Sequence, residues 1–128
     1  MQCPEDFMKR FFAARTAEIK RELECRAPFR KKFFTDDCYW DSRRGAVERS
    51  EAEVIVEVST SITGPRVITR EIDPFPRLRY MLIPSNESWL IQRVDVFVEG
   101  QGWIGEQDLR NRLKAVTRGI PPRGYRGV

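Results

Sequence analysis

Apolar positions follow a helical spacing at the start of the chain, alternate from residue 54 onward, and return to helical spacing near the end. Phe7, Met8, Phe11, Phe12, Ile19 and Leu23 form one apolar stripe, which predicts a helix over residues 4–26. Pro4 suits a first helical position. Glu5 and Asp6 complement the positive end of the helix dipole, as Lys20, Arg21 and Arg26 do its negative end. Pro28 opens a shorter second helix, with Phe29, Phe33 and Phe34 on one side, ending near Thr35. An extended stretch of acidic and aromatic residues follows over 36–42, then a charged loop over 43–52. Val54, Val56 and Val58 alternate with Ile55, Glu57 and Ser59 in a strand, Ile62 to Pro65 make a turn, and Val67 to Ile72 make the next strand. The stretch Asp73-Pro74-Phe75-Pro76 breaks it.

The most marked pattern lies between Arg77 and Val98. Two runs rich in branched and aromatic residues flank the turn-forming cluster Pro84 to Ser88, predicting a long hairpin. With Ile83 opposite Trp89, one face carries Leu78, Tyr80, Leu82, Leu90, Gln92, Val94, Val96 and Val98. Arg77, Arg79, Met81, Ile83, Trp89, Ile91, Arg93, Asp95 and Phe97 fall on the other. The aliphatic face needs a cover, and the stripe from Phe7 to Leu23 supplies one. Gly100 to Gly105 then form a glycine-rich turn holding Trp103, and residues 106–118 a short helix with Leu109, Leu113 and Val116 on one face. Residues 119–128 are a basic tail expected to be mobile.

Helices followed by strands with short connections predict an α+β domain with an antiparallel sheet. At 128 residues, 41% hydrophobic and 33% charged, the chain has the composition of a single domain spanning residues 1–128. The net charge of +4 leaves nucleic acid a disfavoured partner, because no continuous basic patch is visible. No apolar run is long enough for a membrane span, and the first residues lack the order of a signal peptide. The expected location is therefore cytoplasmic, with Cys3, Cys25 and Cys38 reduced. Those cysteines lack metal-ligand spacing, no histidine is present and no nucleotide-binding loop occurs, so no metal or cofactor is expected. The absence of histidine also excludes catalysis with a histidine base.

Two helices, the segment Phe33-Phe34-Thr35-Asp36-Asp37-Cys38-Tyr39-Trp40-Asp41, and then four antiparallel strands ending in a long hairpin: over residues 4–99 this order resembles the nuclear transport factor 2-like superfamily. The resemblance implies a cone, in which a strongly curved antiparallel sheet wraps around the long N-terminal helix. The short C-terminal helix and the tail would be additions to it. It also implies a homodimer through the sheet face and a pocket on the other side. The superfamily contains ketosteroid isomerase-like and polyketide cyclase-like enzymes as well as non-catalytic binding proteins, so it fixes no reaction.

On this resemblance Asp36, Tyr39, Trp40 and Tyr80 are the expected ligand-binding residues. Arg77, Met81, Trp89, Ile91, Arg93 and Asp95 are the expected dimer contact. An apolar cone raises a carboxylate's pKa, and Asp36, Asp37, Asp41 and Asp95 are the carboxylates nearest its mouth. The plainer account of Asp95 is an ion pair on the outer face, with Arg77 across the ladder; that of Asp36 and Asp37 is a helix-end turn. Two functional expectations follow. The first is a non-catalytic domain that holds a small apolar ligand or contacts a protein partner. The second is a carboxylate-assisted isomerase, cyclase, dehydratase or hydrolase acting on a hydrophobic small molecule.

Overall fold

The computed structural model describes residues 2–22, 27–39, 52–71 and 76–117. It is an α+β arrangement of three helices and one five-stranded antiparallel sheet among those residues. Helix α1 spans Pro4–Glu22 and α2 spans Ala27–Phe33. The strands are β1 (Ile55–Thr60), β2 (Pro65–Thr69), β3 (Leu78–Ser85), β4 (Ser88–Val98) and β5 (Gly102–Gly105), hydrogen-bonded in chain order. Helix α3, Glu106–Thr117, follows β5 directly. The predicted end of the first helix, Cys25, Trp40, Asp41, the charged loop over 43–51, the break before the hairpin and the basic tail lie outside the described residues.

One face of α1 makes the core. Phe7, Met8, Phe11, Phe12 and Ile19 are buried against Val67, Leu78, Tyr80, Leu82, Val94 and Val96 of the sheet. Helix α2 adds Phe29 and Phe33, and Phe34 follows. Phe11 sits at the centre, with ring centroids 5.4 Å from Phe33, 5.5 Å from Phe34 and 5.9 Å from Tyr80, mostly edge-on. Such tilted contacts suit the quadrupoles of the rings. At the far end of the helix stripe, Leu113 of α3 is 55% exposed, so the apolar line along α3 is only partly used.

The hairpin β3–β4 exists, but its register differs from the one predicted. Ser85 pairs with Ser88, Pro84 with Trp89 and Ile83 with Leu90, so the turn is only Asn86-Glu87. Asn86 adopts φ 55, the left-handed conformation that a two-residue hairpin turn requires and that asparagine tolerates. A bulge follows: Leu82 pairs with Ile91 but Met81 pairs with Arg93, leaving Gln92 as the extra residue. The buried positions of β4 are therefore Ile91, Val94 and Val96, with Gln92 exposed and Asp95 buried on the opposite face. Asp95 consequently lies across from Arg79, not Arg77.

Gly102–Gly105 is the second departure. It is a fifth strand, not a turn: Val96 pairs with Ile104 and Phe97 with Trp103. The turn sits earlier, at Gly100, and Gly102 at the start of the strand also has positive φ. The outer edge of β4 thus has two attachments. Near its start Thr35 N donates to Ile91 O at 2.9 Å, with Phe34 forming a parallel bridge to Ile91. Near its end Asp95 pairs with Gly105 of β5. Gln92 and Arg93 lie between them.

Candidate binding site

The space between α1 and the sheet is occupied by the chain's own side chains. Tyr80, Phe7, Phe11, Phe33, Phe34, Met8 and Leu82 are among the largest fully buried residues. Inside this apolar packing lies one polar knot. Glu53 accepts from Arg15 Nη2 at 2.7 Å through Oε1, and from Thr69 Oγ1 and Tyr80 OH, both at 2.8 Å, through Oε2. The Arg15 guanidinium is stacked 5.2 Å from the Phe11 ring centroid and 5.1 Å from that of Phe12. Burial lowers the Arg15 pKa, but the Tyr80 and Glu53 oxygens raise it further, and the net shift is upward. Each oxygen of the Glu53 carboxylate is engaged by donors, so this group ties α1 to β2 and β3.

The open volume lies elsewhere. A cleft of about 630 Å³ is lined by Asp37, Tyr39, Thr63, Met81, Gln92, Arg93 and Val94, by Gly105 at the end of β5, and by Glu106, Gln107, Asp108 and Asn111 of α3. The β4 bulge forms its floor. One wall is the segment that follows α2, positioned by the Thr35–Ile91 hydrogen bond. The other is the N-terminal end of α3, where Glu106 is 4% exposed. Thr35 Oγ1 donates to Asp37 Oδ1 at 2.7 Å, which fixes that carboxylate at the rim. The cleft thus offers carboxylates, amides, a phenol and one guanidinium beside the apolar surface of Met81 and Val94. It is equipped to hydrogen-bond a polar ligand and is not a closed apolar chamber.

Cys38 lies beneath this wall, 2% exposed. Burial pushes its thiol up to about 12 from 9.0; nearby Arg30 acts in the opposite direction, while Glu106 and Asp37 add to the rise. The Arg30 guanidinium also donates to the Cys38 carbonyl oxygen. A thiol held protonated in this way is not a nucleophile. Among the described residues no three histidine, cysteine, aspartate or glutamate side chains cluster to hold a metal ion, and no helix is long and apolar enough to cross a membrane.

Of the three expected ligand residues that the structure describes, Tyr39 alone lines the cleft, beside the candidate carboxylate Asp37. Asp36 is exposed in a turn, and Trp40 lies outside the described residues. Tyr80 is fully buried, with its hydroxyl committed to Glu53, and has no surface for a ligand. The expected dimer contact divides as well. Ile91 is fully buried in the core because the short turn reverses its parity. Trp89 is half-buried on the same side, its Nε1 donating to Gln2 O at 2.6 Å. Gln2 N also donates to Glu87 O at 2.9 Å, so the entry to α1 is fastened to the hairpin tip.

Arg77, Met81, Arg93 and Asp95 do share the outer face of the sheet. There Asp95 accepts from Arg79 Nη2 at 2.6 Å through Oδ2 and from Arg93 Nε at 2.6 Å through Oδ1. The Arg77 guanidinium lies 4.3 Å from the Phe97 ring centroid, and that of Arg79 lies 4.8 Å from Trp103.

Two groups that matter here escaped the sequence pattern. Arg15 occupies a position on the apolar stripe of α1, four residues from both Phe11 and Ile19, and that placement is a signal for a buried pair. Glu53 carries no comparable signal, since it reads as one more charge at the end of a charged loop. No family model, curated protein or solved structure matches the chain.

Proposed function

We propose that the chain is a non-catalytic binding domain that holds a segment of a partner protein in the cleft between the β4 bulge and the start of α3. One observation carries this reading: among the described residues aromatic side chains fill the interior between α1 and the sheet, while an open, polar cleft lies outside it. A small apolar ligand inside a cone, as the likeness to nuclear transport factor 2-like domains implied, is disfavoured by the same packing. The carboxylate-assisted enzyme is disfavoured too. Its carboxylate would need an enclosed apolar cavity, whereas Glu53 is bound by three donors, Asp36 faces solvent, and Asp37, Glu106 and Asp108 line a cleft that is open and polar.

The test is a selection of short displayed random peptides on the immobilised protein, repeated on Asn111→Trp. Asn111 is an exposed residue lining the cleft, so an indole there occludes it without disturbing the core. Peptides enriched on the wild type are expected to lose at least about tenfold in affinity on the variant, a difference of about 1.4 kcal/mol. Absence of enrichment, or peptides indifferent to Asn111→Trp, would end the proposal.

A further inference from the structure

We propose that the outer face of the sheet is a docking surface for the carboxylates of an acidic partner protein, read by Arg66, Arg77, Arg79 and Arg93. The proposal rests on the protein-binding reading above and names the chemistry of the partner.

The pairing places these residues in rows. Arg66, Met81 and Arg93 lie side by side across β2, β3 and β4, and Ile68, Arg79 and Asp95 form the next row. Arg77 follows beside Phe97 and Trp103. Neighbouring strands stand about 4.8 Å apart and same-face residues on one strand about 6.7 Å apart, so four guanidiniums fall within one compact patch. Among the described residues of the strands, two carboxylates share this face, Asp95 and Glu57, the latter opposite Ile68 on β1. Asp95 is fully buried and already shared between Arg79 and Arg93. Arg66 Nε is buried without a hydrogen-bond partner, and among the described residues Arg66 and Arg77 have no carboxylate partner.

Three of the four arginines are also held in place. Arg77 and Arg79 stack on Phe97 and Trp103, and the shared Asp95 fixes Arg79 and Arg93. A guanidinium positioned in advance binds a carboxylate through paired N–H donors with less ordering cost than a free side chain.

Two features favour protein over nucleic acid. The ring faces of Phe97 and Trp103 are covered by guanidiniums, so they offer bases little stacking surface. Next to Arg93 the patch gives way to the cleft, with Asp37, Glu106 and Asp108 in its lining. A polyphosphate chain running past the patch meets those carboxylates, whereas a protein can present carboxylates to the arginines and donors to the cleft. A second copy laid face to face on the sheet sets arginine against arginine.

The experiment measures fluorescence anisotropy of a labelled peptide of alternating Glu and Val, with single-stranded oligothymidylate of equal charge as the rival probe. The variant is Arg66→Gln/Arg77→Gln, which leaves the Asp95 pairs and the cleft lining intact. The control is Lys9→Gln/Lys31→Gln on the helical side of the sheet, and circular dichroism melts check that all forms fold. The peptide is expected to bind wild type in a salt-sensitive manner, to lose at least about tenfold on the arginine variant, and to be unaffected by the control. Equal loss on both variants, no binding, or tighter binding of the oligonucleotide overturns the proposal. So does sedimentation showing a wild-type dimer that the arginine variant dissociates, since the face then belongs to a second copy. If cleft-selected peptides still bind and remain sensitive to Asn111→Trp while the acidic peptide does not bind, only the present proposal falls.

Discussion

Arg15→Met isolates the contribution of the buried knot. The substitution keeps most of the side-chain volume on the α1 stripe and removes the charge. Glu53 is then left buried, its side chain 1% exposed, with Thr69 and Tyr80 as its remaining donors among those described. Breaking a buried ion pair from one side costs about 3–5 kcal/mol, because the surviving charge is uncompensated. Loss of the stacking on Phe11 and Phe12 adds about 0.5–2 kcal/mol. A domain of this size is stable by about 5–15 kcal/mol, so the variant should be folded only marginally. Pairing it with Glu53→Leu removes the orphaned carboxylate. The double variant should therefore be more stable than Arg15→Met alone, a coupling of about 2 kcal/mol or more. Urea denaturation followed by circular dichroism, with equal slopes for all variants, measures this directly. A single-variant loss below about 1 kcal/mol, or strictly additive losses, would show that the pair is not a connected unit.

Two further outcomes can be checked by the same method. Gly64 has φ +150, and a Cβ built there meets Leu82 O at 2.2 Å, so Gly64→Ala must displace the β1–β2 turn from the hairpin. It should cost about 2 kcal/mol or more, whereas Gly100→Ala, at φ +81 with nothing within 4 Å, should cost about 1 kcal/mol of backbone strain alone; equal losses would remove the steric argument. Cys38 predicts an alkaline effect. Its pKa is raised on folding from 9.0 to about 12, so the stability it confers is fully present below pH 9.0 and is lost as pH rises toward about 12. The loss should approach about 1.4 kcal/mol per pH unit in that window, and Cys38→Ala should flatten the profile by that amount; identical slopes would contradict the burial of the thiol.

The elements legible in the sequence are those whose local spacing and tertiary environment agree. The stripe of α1 and the run Leu78, Tyr80, Leu82 both point inward as their periods require. Strand β5 was not legible, because four residues bounded by glycines carry a turn composition and become a strand only by pairing with Asp95 to Val98. Tyr80 shows the same limit at the level of a side chain. Its apolar neighbours place it on the inner face, but whether that face lines a cavity or a packed core depends on Phe11, Phe12 and Glu53, all distant in sequence. The cleft, built from residues 37, 39, 63, 81, 92–94, 105–108 and 111, has no local signature, and only Asp37 and Tyr39 are expected near a ligand from the sequence.

The hairpin register connects these points. Two local events each move the pairing by one residue: the two-residue turn at Asn86-Glu87, and the extra residue Gln92. Between them, side-chain parity is reversed, and Trp89 and Ile91 turn toward the core. Beyond the second event parity is restored, so Val94 and Val96 are buried where simple alternation puts them. A straight alternating count therefore fails only over the segment between turn and bulge. That segment ends where the outer edge of β4 passes from Thr35 to β5, and the bulge exposes Gln92 and Arg93 at this junction. A bulge redirects side chains and bends its strand, so the same insertion that defeats the alternating pattern opens the floor of the cleft. Deleting Gln92 to restore a regular ladder would return Arg93 to an uninterrupted alternation and close that floor, which ties the proposed binding site to a single backbone irregularity.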